Sequence, residues 1–117
     1  MLDVSIKDIP DGENYLFAKK TTLLDRNALQ MVQQKKIKFV ITDKGIYYKI
    51  ANVLIDLTGT CYIPFETLSI VEKGKYLWAK KLTFFDKNKN KLEIIDKESI
   101  LDEILEILRK YNVKISD

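Results

Sequence analysis

ESILDEILEILRKY, residues 98–111, is the stretch that decides the fold of this 117-residue chain. On a helical wheel its apolar side chains fall within an arc of about 160°, opposite its polar side chains. The apolar set is Ile100, Leu101, Ile104, Leu105, Ile107, Leu108 and Tyr111. Asp96 suits the N-cap, and Arg109 and Lys110 end the last turn, where the helix dipole favours cations. The pattern predicts an amphipathic helix over residues 97–111 that packs its apolar face on another element.

The residues before this helix alternate between apolar and polar in the manner of short strands. Predicted strands cover residues 14–20, 36–42, 46–50, 53–57, 61–71 with a break at Pro64, 76–85 and 91–95. Residues 43–45 and 72–75 are predicted to form turns. Gly45 is predicted to take the left-handed conformation that its hairpin needs. Short connections predict antiparallel pairing. About seven strands followed by one helix predict a mainly β barrel or sandwich whose open seam the helix covers.

Residues 22–35 follow a different pattern from the strands around them. Leu24, Ala28, Met31 and Val32 recur at helical spacing behind a potential N-cap at Asp25. This spacing predicts a short helix inserted between the first two strands. Residues 1–13 contain a Pro-Asp-Gly turn signal and read as an N-terminal extension.

Composition indicates a single folded domain over residues 1–117, with 46% hydrophobic and 32% charged residues. The first residues are acidic where a signal peptide is basic, and no apolar run is long enough to cross a bilayer. We therefore expect a cytoplasmic protein. Cys61 is the only cysteine, so an internal disulfide is excluded, and its place in a predicted strand favours a buried structural thiol.

Catalytic chemistry is poorly supplied. The chain has no histidine, which is the commonest general base near neutral pH. Its four glycines are isolated, so no glycine-rich phosphate loop is present. The DKNKN segment from Asp86 resembles the start of a calcium loop, but Lys91 and Lys97 occupy the positions that need Gly and Glu. The sequence predicts a hairpin loop here, no catalytic residue, no metal site, no cofactor and no enzymatic activity.

Three phrases resemble the bacterial branch of the pleckstrin-homology-like family: FVITDKGIYY (residues 39–48), IPFETLSIV (residues 63–71) and LTFFDKNKNKLEI (residues 82–94). The resemblance covers residues 36–111 and departs from the family pattern between Thr22 and Lys35. It implies a partly open seven-stranded antiparallel barrel capped by the C-terminal helix. It also implies that basic residues on the first two strands, here Lys20, Lys36 and Lys38, bind anions.

A second lysine cluster flanks Tyr76 and Trp78, a mixture of basic and aromatic residues that also suits nucleic acid. Lys73 and Lys75 of this cluster are further candidates for anion binding. The net charge of +3 is modest for a nucleic-acid binder. Tyr47, Tyr62 and Tyr76 are candidates for an exposed protein interface, because tyrosine is enriched at interfaces.

These patterns favour a non-enzymatic protein-interaction or assembly module, which binds an unknown protein partner or associates with itself. Residue usage rich in Lys, Ile and Asn resembles that of low-GC bacteria, phages and mobile elements, in which a small adaptor or inhibitor would fit. The alternative is an anionic-ligand binder that recognises a lipid headgroup or a nucleic acid through its lysines. Steeply salt-sensitive binding is expected only for the alternative.

Overall fold

A computed structural model describes residues 4, 6–26, 32–51 and 59–116. Within these residues the chain forms eight strands, one 3-10 turn (Phe65–Thr67) and one α-helix. The strands are β1 (Tyr15–Arg26), β2 (Val32–Thr42), β3 (Gly45–Ile50), β4 (Cys61–Pro64), β5 (Leu68–Tyr76), β6 (Ala79–Asp86), β7 (Lys91–Asp96) and β8 (Ile115–Ser116), and the helix is α1 (Glu98–Lys110), between β7 and β8. No helix among them is long and apolar enough to cross a membrane.

The strands form one sheet in the order β4-β3-β2-β1-β7-β6-β5-β8, so across the described residues β4 and β8 are its two edges. Neighbouring strands are antiparallel except β8, which pairs parallel to β5. The mainly β class, the single C-terminal helix and the unclosed sheet are confirmed for the described residues. The described residues form eight strands rather than about seven, because the predicted 61–71 segment divides into β4 and β5 and a short β8 follows the helix. Pro64 ends the edge strand β4, where its missing amide costs no ladder hydrogen bond.

The apolar face of α1 packs on the sheet as predicted. Its buried residues are Leu101, Ile104, Leu105 and Leu108. They share one core cluster with side chains from both halves of the sheet, including Phe39 of β2 and Phe84 of β6. At about 1.5–3 kcal/mol per side chain, this burial is comparable to the net stability of a domain. The predicted cap at Asp96 is wrong: Lys97 occupies the N-cap position, and Asp96 Oδ1 accepts from the Lys97 amide at 2.7 Å.

The helix predicted within residues 22–35 is wrong for the part that the structure describes. β1 continues to Arg26 and β2 begins at Val32, so residues 22–26 and 32–35 form a continuous antiparallel ladder. Tertiary contacts decide this, because the Thr21 hydroxyl donates to the Ile95 carbonyl at 3.1 Å and β1 also pairs with β7. Ala28, Met31 and the strand predicted over residues 53–57 lie outside the described residues.

Two turn predictions also need correction. Residues 72–75 form part of strand β5, and the chain instead reverses at Leu77–Trp78, inside the strand predicted over residues 76–85. Gly45 has no positive φ; Gly12 is the glycine for which the structure gives one. Gly45 is required for another reason, because a Cβ there would lie 2.4 Å from the Ile63 carbonyl oxygen.

The N-terminal extension covers part of the outer face of the sheet. Ile6 and Ile9 form a second buried cluster with Ala18 of β1, Val40 of β2 and Tyr47 of β3. This cluster lies on the face opposite the main core, which marks Ala18 and Val40 as outward-facing positions of their strands. Because side chains alternate along a strand, every second residue from Ala18 on β1 and from Val40 on β2 also faces outward.

Candidate anion-binding site

The first two strands bring three of the predicted anion-binding lysines together. Lys20 of β1 lies directly opposite Lys38 of β2, next to the outward-facing pair Ala18 and Val40. Lys36 lies opposite Thr22, one pair further along on the same face. Lys20, Lys36 and Lys38 therefore form one outward-facing group, which we call the β1–β2 lysine patch.

The electrostatics of this patch are unfavourable without an anion. Directly opposed side chains have Cβ atoms about 5 Å apart, and like charges in such pairs destabilise a sheet. Among the described residues, no carboxylate lies within ion-pair distance of Lys20 or Lys38. The Lys36 ammonium donates to the Thr22 hydroxyl at 3.0 Å. Lys49 of β3 is the register partner of Lys38 on the other side of β2.

Other lysines of the same strands are matched with carboxylates, which makes the patch distinctive. Lys19 pairs with Glu103 of α1 at 3.3 Å, and Lys35 pairs with Asp25 at 2.7 Å. An open cleft of about 400 Å³ borders the patch beside Lys20 of β1. Its lining is Val4, Lys19, Lys20, Asp96, Lys97 and Ile100. The cleft places the first turn of α1, with its favourable dipole for anions, beside Lys20.

Lys73 and Lys75 do not join this group. They lie on β5, which β6 and β7 separate from β1 in the sheet. Lys75 is directly opposite Lys80 of β6 in a hairpin of its own. The five predicted lysines therefore belong to two separate surfaces, of which the β1–β2 lysine patch contains three.

The three predicted interface tyrosines occupy different environments. Tyr47 is only 4% exposed, so it offers no exposed contact, contrary to prediction. The N-terminal extension covers it, and its hydroxyl donates to a carboxylate oxygen of Glu13 at 2.9 Å. Burial, followed by this carboxylate, raises the pKa of Tyr47. Tyr62 is 45% exposed and stacks on Tyr47 with ring centroids 4.4 Å apart, whereas Tyr76 is half-buried.

Two other residues that the sequence analysis singled out, Cys61 and Asp86, lie at the ends of strands: Cys61 begins β4 and Asp86 ends β6. Cys61 is exposed on the edge strand β4, so the prediction of a buried thiol is wrong. Asp86 closes a hairpin loop, as predicted: its Oδ1 accepts from the amides of Asn88 at 2.8 Å and Asn90 at 2.9 Å. In the described part of the chain, no group of three His, Cys, Asp or Glu residues is arranged to hold a metal ion.

Among the described carboxylates, Glu93 is the most strongly perturbed, and sequence reasoning missed it. Its nearly buried side chain accepts from Arg26 Nε at 2.6 Å and from Lys81 Nζ at 3.0 Å. The hydrogen bond from Arg26 is the largest cause that lowers the pKa of Glu93, to about 2, against the opposing effect of burial. The only sequence signal was a glutamate between two apolar residues of a predicted strand. Both cations of this group are satisfied, so it is a structural feature of the outer face.

Comparisons with known proteins give a fold and no family. No family model matches the chain. No curated protein matches it either. Among solved structures, the chain is similar to the hSac2 domain from human phosphoinositide phosphatase Sac2, with a TM-score of 0.60. The match covers 93% of this chain and 81% of that one, at 12% identity. At this identity the likeness supports a β-rich, barrel-like fold alone.

Proposed function

We propose that this chain is a non-enzymatic binding module that holds a phosphate-bearing anion at the β1–β2 lysine patch. The observation that carries the proposal is the direct opposition of Lys20 and Lys38 without a carboxylate to separate them. A phosphate group accepts several charge-assisted hydrogen bonds, so two lysines at directly opposed positions of adjacent strands can share one phosphate. Binding would therefore relieve the repulsion that the fold itself creates.

The proposed architecture is a pleckstrin-homology-like barrel, left partly open and capped by α1. The sheet order supports this assignment, because β1 joins the β2–β4 half to the β5–β7 half. The helix follows β7 directly and buries Ile104 completely against the core. The bacterial branch remains a proposal that rests on the phrases around Phe39, Pro64 and Asp86.

Charge reversal at the patch tests the anion-binding proposal. We expect the double variant Lys20→Glu with Lys38→Glu to bind phosphoinositide-containing liposomes at least about tenfold more weakly than wild type, because two charge-assisted contacts are lost. Wild-type binding should weaken as salt is raised from a low to a moderate concentration. Titration with a single-stranded oligonucleotide under the same conditions distinguishes a nucleic-acid phosphate from a lipid headgroup.

Lys87→Glu paired with Lys91→Glu provides the charge-matched control. Both lysines are exposed at the β6–β7 hairpin, away from the patch. After correction for the change in net charge, which is the same in both double variants, the control should bind the liposomes with wild-type affinity. Equal losses in the two double variants, or no binding by wild type at low salt, would contradict the proposal.

Protein interaction is the second candidate, and one observation favours it. Edge strand β4 presents the half-exposed ring of Tyr62 beside a sheet edge with no strand partner among the described residues. Such an edge accepts an added strand from a partner or from a second copy. Light scattering and affinity capture test this function, and Tyr62→Lys should abolish any association. A monomer that captures no partner would count against it.

A further inference from the structure

The hairpin between β5 and β6 ends in two large apolar side chains that contact no core. Leu77 is 70% exposed and Trp78 is 96% exposed, the highest values among the exposed large hydrophobic residues of the described chain. The turn is tight, because Tyr76 and Ala79 on either side of it pair directly. Trp78 is also the only tryptophan in the sequence. We call Leu77 and Trp78 the hairpin tip.

The backbone of the tip is suited to a different residue. Leu77 has φ of +56°, a left-handed conformation in which glycine and asparagine are the usual residues of a two-residue hairpin. An apolar side chain gains no burial there to offset its unfavourable backbone conformation. A strained, exposed Leu followed by an exposed Trp is therefore not explained by folding, and such outliers are typical of functional positions.

Lysines surround the base of the tip. Residues 73–81 contain four lysines and no acidic residue. Lys75 and Lys80 are both exposed and lie directly opposite each other, one pair behind Tyr76 and Ala79. Neither makes an ion pair with a carboxylate of the described residues. The hairpin therefore ends in an apolar point with an exposed pair of cations immediately behind it.

We propose that the hairpin tip inserts into the boundary between the headgroups and the acyl chains of an anionic lipid bilayer. Tryptophan favours the membrane–water interface, where its ring is apolar and its N–H remains hydrogen-bonded. Lys75 and Lys80 contact anionic headgroups, which supplies the second attraction that stable peripheral binding needs.

The geometry favours a bilayer over a macromolecular partner. A convex tip of two residues penetrates a fluid surface, whereas single-stranded nucleic acid requires a groove with several stacking aromatics. Tyr76, the nearest other aromatic, is half-buried. This surface is separate from the β1–β2 lysine patch, since β6 and β7 lie between β5 and β1. The membrane inference therefore does not depend on the proposed function, and each can be tested separately.

Fluorescence of the full-length chain tests the inference directly, because all tryptophan emission comes from Trp78. With phosphatidylcholine vesicles that contain phosphatidylserine, we expect a blue shift and quenching by lipids brominated on the acyl chain. With phosphatidylcholine alone, both effects should be several-fold weaker. Lys75→Glu with Lys80→Glu should remove the dependence on phosphatidylserine, whereas the charge-matched Lys87→Glu with Lys91→Glu should retain most of it.

The variant Leu77→Asn distinguishes a role of Leu77 in membrane insertion from a role in folding. Asparagine suits the left-handed backbone, so thermal stability should be unchanged or higher while vesicle partitioning falls several-fold. Absence of a blue shift on anionic vesicles would overturn the proposal, as would equal partitioning of Leu77→Asn and wild type. A shift produced only by higher protein concentration, or only by an oligonucleotide, would also overturn it. Phosphoinositide binding that depends on Lys20 and Lys38 is measured separately, so the two proposals can fail independently.

Discussion

Glu93 shows how a single side chain stabilises the outer face of the sheet. Its carboxylate, with a side chain 5% exposed, joins Arg26 of β1 and Lys81 of β6 across β7. Removing one partner of such a nearly buried group leaves charge without compensation, which is strongly destabilising. The group therefore connects three neighbouring strands, β1, β7 and β6, in addition to their backbone ladders.

The depressed pKa of Glu93 predicts loss of stability in acid. Its folded pKa of about 2 lies below the ordinary value of an unfolded glutamate. The ionised group thus stabilises the fold above the unfolded pKa, and this stabilisation disappears as the pH falls from about 5 to about 2. The expected loss is on the order of 2–3 kcal/mol. Denaturant unfolding at several pH values measures it.

The variant Glu93→Gln should be less stable than wild type at neutral pH and should lose less stability on acidification. Glu72→Gln is the matched control, because Glu72 is an exposed carboxylate of β5, which β6 separates from β7. It should retain the wild-type acid dependence. An identical acid dependence in Glu93→Gln and wild type would show that this carboxylate is not the group responsible.

A substitution of the single residue Ile104 tests the packing of α1 on the sheet. Its side chain is completely buried against the sheet, so Ile104→Asp places an unpaired carboxylate in the core. We expect a loss of more than about 4 kcal/mol, which leaves the domain largely unfolded by circular dichroism. Ser99→Asp is the control, since Ser99 is exposed in the first turn, where acidic residues are favourable. A soluble Ile104→Asp protein with an unchanged melting temperature would exclude this packing.

At the scale of elements, the close approach of β3 and β4 depends on Gly45. A Cβ at this position would meet the Ile63 carbonyl oxygen at 2.4 Å and the Pro64 Cα at 2.8 Å, both backbone atoms. We expect Gly45→Ala to separate the strands and to destabilise the protein by about 1–3 kcal/mol in thermal unfolding. Gly74→Ala is the matched strand variant, because its Cβ meets only the Lys81 side chain at 3.6 Å. Equal stability of the two variants would contradict this explanation.

The elements also show where sequence reasoning succeeds and fails. α1 was predictable because its period of about 3.6 residues separates two faces completely, and packing then reinforces the local preference. The DKNKN loop was predictable because Asp86 satisfies the backbone of its own turn. Residues 22–35 were mispredicted because long-range pairing of β1 with β2 and β7 overrides local spacing. The Leu77–Trp78 turn was missed because Leu and Trp are not residues that usually form turns, which favour Gly, Pro, Asn, Asp and Ser.

At the scale of the whole molecule, strand register rather than proximity in sequence creates the candidate site. Lys20 and Lys38 are far apart in the chain, and the pairing of β1 with β2 places them side by side. Their residue types were recognisable from the sequence, whereas their opposition and the lack of a carboxylate partner required the register. The same sheet places Lys73 and Lys75 on another surface, which composition alone did not predict.

The central claim is that the β1–β2 lysine patch holds a phosphate-bearing anion, and amide chemical shifts during titration with inositol hexakisphosphate test it most directly. We expect saturable, salt-sensitive shift changes grouped on β1 and β2 around Lys20 and Lys38, and their loss in the Lys20→Glu with Lys38→Glu variant. Shift changes confined to other strands, or a spectrum that the ligand leaves unchanged at low salt, would contradict the claim.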